Sequence, residues 1–145
     1  MAMLPFCGYN MADYFEHWLE MGRRNPDKMP RVFLVNWFRK DEDGKFIWPG
    51  FGENSRVLEW VFRRCEGAAD AVETPIGLLP SEGAINTEGL SITPEAMSEL
   101  LTVDTELVKQ QLPQVKEHLA KFGDKLPAEL KAQLDALEKR LDQAS

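Results

Sequence analysis

The chain has 145 residues, 43% of them hydrophobic and 28% charged, and carries a formal net charge of -7 at pH 7. That is enough chain to bury a core, and its 4 Trp, 8 Phe and 2 Tyr exclude an acidic disordered segment. The negative balance argues against nucleic acid as a partner, no apolar run approaches the roughly 20 residues of a membrane span, and the opening MAMLPFCGYN has no signal-peptide pattern, so a cytoplasmic protein is expected.

From Asn10 to Met21 the apolar residues Met11, Tyr14, Phe15, Trp18, Leu19 and Met21 recur mostly at three- and four-residue steps, with acids between them. This spacing predicts an amphipathic helix that ends near Gly22. His17 rides on it with no second ligand close in sequence, and reads as a surface or packing histidine. Pro26 and Pro30 bracket a polar connection. Arg31 to Phe38, RVFLVNWF, is β-branched and aromatic, which predicts a strand running toward the core. Asp43-Gly44 is then a favoured reversal, because Gly takes positive φ without a Cβ clash, and Phe46-Ile47-Trp48 returns as the second arm of a hairpin.

Pro49-Gly50-Phe51-Gly52 is neither helix nor strand; it is a loop whose glycines permit close backbone approach. Asn54 or Ser55 caps the next helix, with Val57, Leu58, Val61, Phe62 and Cys65 on one face and Gly67 as the stop. Residues 68–92 read as loop-rich. Thr93-Pro94 starts a short helix, and Asp104 to Phe122 forms a longer one bent or interrupted by Pro113. Pro127 opens the last helix, whose Leu130, Leu134, Leu137 and Leu141 form the seam of a helical hairpin or a short coiled coil. Packing back onto the same chain is the first expectation for that seam.

Thirteen of the fourteen aromatic residues lie between Phe6 and Phe62, so the chain changes character around residue 66. A first part, residues 1–92, is expected to hold the core and a site, and a second, residues 93–145, to be a helical appendage of the same domain. The fold class is mixed α/β: a short β-hairpin and a strand packed with several helices.

Charge is unevenly spread. Residues 23–64 hold ten bases against six acids, whereas residues 65–103 hold seven acids and no base. A basic island in an acidic protein suits a small anionic ligand better than a polymer, although a solvated charged face would look the same. Cys7 and Cys65 form no CxxC pair, so neither a disulfide framework nor a zinc site is implied, and both read as buried or half-buried thiols. No GxxxxGK[ST], GxGxxG, HExxH or GxSxG motif occurs. The chain therefore offers no nucleophile, general base or metal cluster.

The run NWFRKDEDGKFIWPGFGENSR, Asn36 to Arg56, does stand out. Phe38, Phe46 and Phe51 sit beside charged or glycine positions rather than within one apolar face, which suits a stacking pocket for a planar base. Asn54 presents both a donor and an acceptor to a purine edge. The alternative is a hairpin that simply folds its aromatics over the next helix.

The segments PRVFLVNWFRKDEDGKFIWPGFGENSRVLEWVF and PFCGYNMADYFEHWLEMG, followed by TPIGLLPSEGAINTEGL, resemble the C-terminal part of GTP-dependent phosphoenolpyruvate carboxykinases. The resemblance is dense over residues 3–67 and looser over the final helices. It implies part of the C-terminal nucleotide-binding domain of a longer enzyme that converts oxaloacetate and GTP to phosphoenolpyruvate, GDP and carbon dioxide in gluconeogenesis. By the same resemblance, Phe38, Phe46 and Phe51 enclose the guanine, Asn54 hydrogen-bonds its edge, and Phe6 neighbours the nucleotide and a mobile lid. Leu4 and Cys7 depart from the common Arg and Phe at their positions. The ligands of manganese and magnesium, the phosphate loop and the substrate-binding arginines would lie outside this chain, which alone is expected to be inactive. The intact enzyme is expected to be a monomer without nucleic-acid or membrane partners. A rival reading is a non-enzymatic interaction module built on residues 104–145. An aromatic and basic RNA surface is weakened by the net charge of -7.

Overall fold

The structure, a computed structural model, describes residues 8–144. Leu4, Phe6 and Cys7 lie outside the described residues. The chain forms two compact units: residues 31–103, and the stretch up to Pro30 together with the residues from Asp104 onward. The division thus follows Val103, and the first helix folds with the last two.

In the discontinuous unit, helix α1 (Met11–Arg24) begins where Asn10 caps it, the side chain accepting from the Ala12 N–H at 2.9 Å. Helix α4 (Thr105–Ala120) is capped by Asp104, which accepts from the Leu107 N–H, and it carries Pro113 in its interior without a break in the helix. Helix α5 (Ala128–Gln143) follows Pro127 and packs on α4 as a helical hairpin. Ala12, Leu112, Leu126 and Leu141 are buried. The leucine seam of α5 is therefore covered within its own chain at Leu141. Phe122 meets both Phe15 and His118 edge-on, with ring centroids 5.5 and 5.6 Å apart. Arg23 forms ion pairs with Glu16, Glu20 and Glu129, which hold its guanidinium charged. Hydrogen bonds from Arg24 and then Arg23 keep the Glu20 carboxyl below its ordinary value. These exposed pairs fix side-chain geometry more than they stabilise the fold. His17 is exposed, as a surface histidine should be.

The 31–103 unit closes around buried Trp48, Trp60 and Ile85, with Phe33, Trp37, Val57, Val61, Met97 and Leu100 packed against them. Helix α2 (Asn54–Cys65) supplies Trp60, whose indole N–H donates to the Asp70 carbonyl at 3.2 Å. The expected buried face of α2 is rotated. Trp60 lies inward while Leu58, Phe62 and Cys65 are exposed, because the largest ring on the helix takes the core. The expectation of a buried or half-buried Cys65 thiol is corrected accordingly. Gly67 ends the helix region at φ 75°, a left-handed position that suits glycine.

The expected strand at Arg31–Phe38 is also corrected: it pairs with no other segment among the described residues. Asn36 accepts the Phe38 N–H on Oδ1 at 3.0 Å and turns the chain. Val32 and Leu34 face solvent, at 91% and 101% exposure, while Phe33 packs on the core. The hairpin that follows is reduced to one bridge, Lys40 to Phe46, closed by Ile47 N–H to Arg39 O at 3.0 Å. Its reversal is the expected one, with Gly44 at φ 77°.

The sheet lies elsewhere. Strands β1 (Ala71–Thr74) and β2 (Gly77–Pro80) pair antiparallel with Val72 opposite Leu79, inside the stretch read from sequence as loop. Helix α3 (Pro94–Leu101) starts at Thr93-Pro94 as expected, with Thr93 Oγ1 accepting from the Ala96 N–H. Among the described residues the architecture is mainly helical with one small two-stranded antiparallel sheet.

Candidate functional site

Three of the sequence-predicted residues stand on the reversal and the loop after it. Phe38 and Phe46 flank the Lys40–Phe46 bridge, their ring centroids 6.0 Å apart and inclined at 61°. Lys40 holds its Nζ 5.1 Å from the centroid of Phe46, a cation over a ring face. Both rings are exposed. They pack on each other edge to face rather than into the core, so the alternative of aromatics folded over the next helix does not describe them.

Phe51 is the one non-glycine residue at positive φ among the described residues. Gly50 has φ 79°, which glycine accepts freely, but the next residue also takes positive φ, 49°, and it is a phenylalanine. A bulky L-residue in the left-handed region is strained by about 1–3 kcal/mol. Its ring is 97% exposed and so gains nothing from burial. A strained backbone that projects an aromatic face into solvent has no intramolecular return.

Asn54 and Ser55 do not cap α2 as expected. Ser55 Oγ donates to the Gly52 carbonyl at 2.7 Å, and the Phe51–Glu53 segment is a single 3-10 turn leading into the helix. Glu53 and Arg56 form an ion pair across this junction. The half-buried Asn54 instead accepts on Oδ1 from the Trp48 indole N–H at 2.9 Å. Sequence reasoning had set Trp48 only as part of the second arm, and no spacing rule would have linked it to Asn54. The crowding of Gly, Pro and Phe in PGFG was the available signal for Phe51.

Much of the basic island is structural. Arg31 donates to the Arg64 carbonyl, Arg39 to Thr102 O at 3.2 Å, Arg56 to Asn86 O at 3.0 Å and Arg64 to Ala69 O at 2.8 Å. These four arginines of the island therefore tie loops together. A shallow concavity of about 420 Å³ between α2 and residues 83–88 includes Arg56, Glu59 and Arg63 but none of the four predicted base contacts. Among the described residues no three of His, Cys, Asp and Glu come together as metal ligands. No chemical step through a metal is assigned to this chain. No helix among the described residues is long and apolar enough to cross a membrane.

A family model described as the phosphoenolpyruvate carboxykinase C-terminal P-loop domain matches residues 1–140. The phosphoenolpyruvate carboxykinase (GTP) of Treponema pallidum strain Nichols is 52% identical over 143 residues, 97% of this chain and 23% of that protein. The protein of the same name in Arthrobacter sp. strain FB24 is 50% identical over 142 residues, again 97% of this chain and 23% of its own length. That of Neocallimastix frontalis is 50% identical over 145 residues, 99% of this chain and 24% of its own. The chain spans under a quarter of the length of each of these relatives.

Proposed function

Because this chain belongs to the family of GTP-dependent phosphoenolpyruvate carboxykinases, as part of their C-terminal P-loop domain, we propose that it supplies the guanine-recognition corner of such an enzyme. Phe38, Phe46 and Phe51 stack on the base and Asn54 meets its edge; Phe6 is proposed as a neighbour of the nucleotide and lid. Apart from Phe6 these residues fall in the 31–103 unit, within the proposed base-binding part at residues 1–92.

The observation that carries this reading is Phe51, strained at φ 49° and 97% exposed, on the loop that leads directly into Asn54. A ring held so is explained by a partner that is flat, apolar on its faces and not part of the protein. The seam leucines of α5, by contrast, are buried at Leu141 and half-buried at Leu130, Leu134 and Leu137, which weighs against the interaction-module reading.

For the whole enzyme we propose loss of carbon dioxide from oxaloacetate to leave the pyruvate enolate, whose oxygen then takes the γ-phosphoryl group of GTP as GDP departs. Manganese and magnesium, the phosphate cradle and the oxaloacetate clamp would be contributed by residues beyond this chain, which has no GxxxxGK[ST] loop. A monomeric enzyme acting in cytoplasmic gluconeogenesis completes the reading. The test is a titration of the 145-residue chain with GTP, ATP and CTP, followed by the ring-proton NMR signals of Phe38, Phe46 and Phe51. Purine nucleotides should shift all three sets upfield through ring-current stacking. If none of the three responds to millimolar GTP, the base pocket is not here.

A further inference from the structure

Trp48 is 5% exposed, at the centre of the 31–103 core, and its only polar atom is spent on one contact, Nε1–H to Asn54 Oδ1 at 2.9 Å. An indole N–H donates and cannot accept. The Asn54 carboxamide must therefore face it oxygen first, since the reversed amide would set two donors against each other and leave a buried N–H unpaired. Trp48 and Asn54 also bracket the Pro49–Glu53 loop that carries Phe51, so the same hydrogen bond ties the two ends of that loop together.

We propose that Trp48 is a positioning residue for purine choice. By engaging Oδ1 it orients the amide, so that Nδ2, a donor, is the group Asn54 offers to the base. Guanine carries an acceptor at position 6 and adenine an amino group, so a fixed donor favours the first and opposes the second. An unfixed amide could turn over and serve either. The proposal rests on the reading of Asn54 as the group that meets the base edge, and extends it to a residue in the core.

The experiment uses the full chain and two substitutions, with GTP and ATP as the probes, titrated by NMR. Trp48→Phe keeps an aromatic ring in the core and removes the N–H together with part of the indole's volume; beyond any loss common to both nucleotides, it should lower the GTP to ATP affinity ratio roughly tenfold, in part by improving ATP binding. Asn54→Asp keeps an acceptor for the indole and removes the donor; it should lower the same ratio at least as much while the Trp48 indole N–H stays slow to exchange with solvent. A purely structural Trp48 would weaken both nucleotides alike. An unchanged ratio in Trp48→Phe alongside a lowered one in Asn54→Asp overturns the role of Trp48 and leaves Asn54 as the base reader. An unchanged ratio in both overturns the reading of Asn54 and the proposal with it. Should Trp48→Phe fail to fold, the unsubstituted chain decides: saturating GTP should shift the Asn54 Nδ2 signals while the Trp48 indole proton keeps its protection. Loss of that protection on GTP binding would overturn the proposal.

Discussion

Strain at Phe51 can be separated from the function of its ring by comparing two substitutions with each other rather than with the parent chain. Phe51→Ala removes a ring that is 97% exposed, so little burial is lost and stability should move by no more than about 0.5 kcal/mol. The Cβ clash at φ 49° remains. Phe51→Gly removes that clash, worth about 1–2 kcal/mol, against about 0.5–1 kcal/mol of added unfolded-chain entropy. Glycine should therefore be more stable than alanine here, by roughly 0.5–1 kcal/mol. At an ordinary negative φ the order would reverse by a similar amount, so the sign carries the result. Urea unfolding of the two variants, with an m-value of about 1–3 kcal/mol/M, should resolve it as a midpoint difference of a few tenths molar or more. Both variants should lose one stacking contact, worth about 1–3 kcal/mol, and weaken GTP and ATP by the same factor. A glycine variant less stable than the alanine variant would refute the strained backbone. Unequal loss of GTP and ATP would refute the view that this ring supplies affinity without choice.

Four further outcomes are expected. Asn54→Ala should lower kcat/KM for GTP roughly tenfold to a hundredfold in an enzyme containing this chain and leave ATP use nearly unchanged; an unaltered ratio would transfer base reading to the main chain of Pro49–Gly52. The 145 residues alone, assayed with GTP, oxaloacetate and manganese, should show no carboxykinase turnover, and metal-dependent turnover would contradict the proposed division of labour. Pro113→Ala should stabilise α4 by up to about 3 kcal/mol in denaturant melts, because the exposed proline lacks the amide its turn would use and has little packing to lose. Glu20, held below its ordinary 4.5 by hydrogen bonds from Arg24 and Arg23, contributes a stability, small because the pairs are exposed, that is present above 4.5 and lost as pH falls through the lowered value; Glu20→Gln should therefore melt only slightly lower than the parent at pH 7 and converge with it in strong acid.

Helices were legible where capping chemistry is local. The helical patterns read from Asn10, Thr93 and Asp104 start at residues whose side chains accept a first-turn amide, and the helices begin there. Strands were not, because a strand is completed by its partner. RVFLVNWF has the composition of a sheet element, yet nothing among the described residues pairs with it, whereas AVET and GLLP pair across Pro75-Ile76 despite a proline within β2. The same distinction separates the site residues. Phe38, Phe46 and Phe51 could be read as candidates because each interrupts a local pattern, and Asn54 looked like a helix cap for the same local reason. Only tertiary structure reveals that its oxygen is occupied by Trp48.

That difference in legibility follows a difference in support, and it bears on how the proposed site would respond to change. The rings stand on an exposed reversal and a loop, held by a single bridge and a few turn hydrogen bonds, so a substitution there alters a stacking surface and leaves the core alone. The amide is anchored to an indole packed among Trp60 and Ile85, so its orientation is as rigid as the core. Stacking tolerates small displacements because every purine presents a face, whereas a donor aimed at one atom does not. Loose elements therefore suffice for affinity, and only the rigid one can carry discrimination. Substitutions at Phe38, Phe46 or Phe51 should scale all purines together, and substitutions at Trp48 or Asn54 should change their ratio; a ring substitution that changed the ratio as strongly as Asn54→Ala would break this assignment.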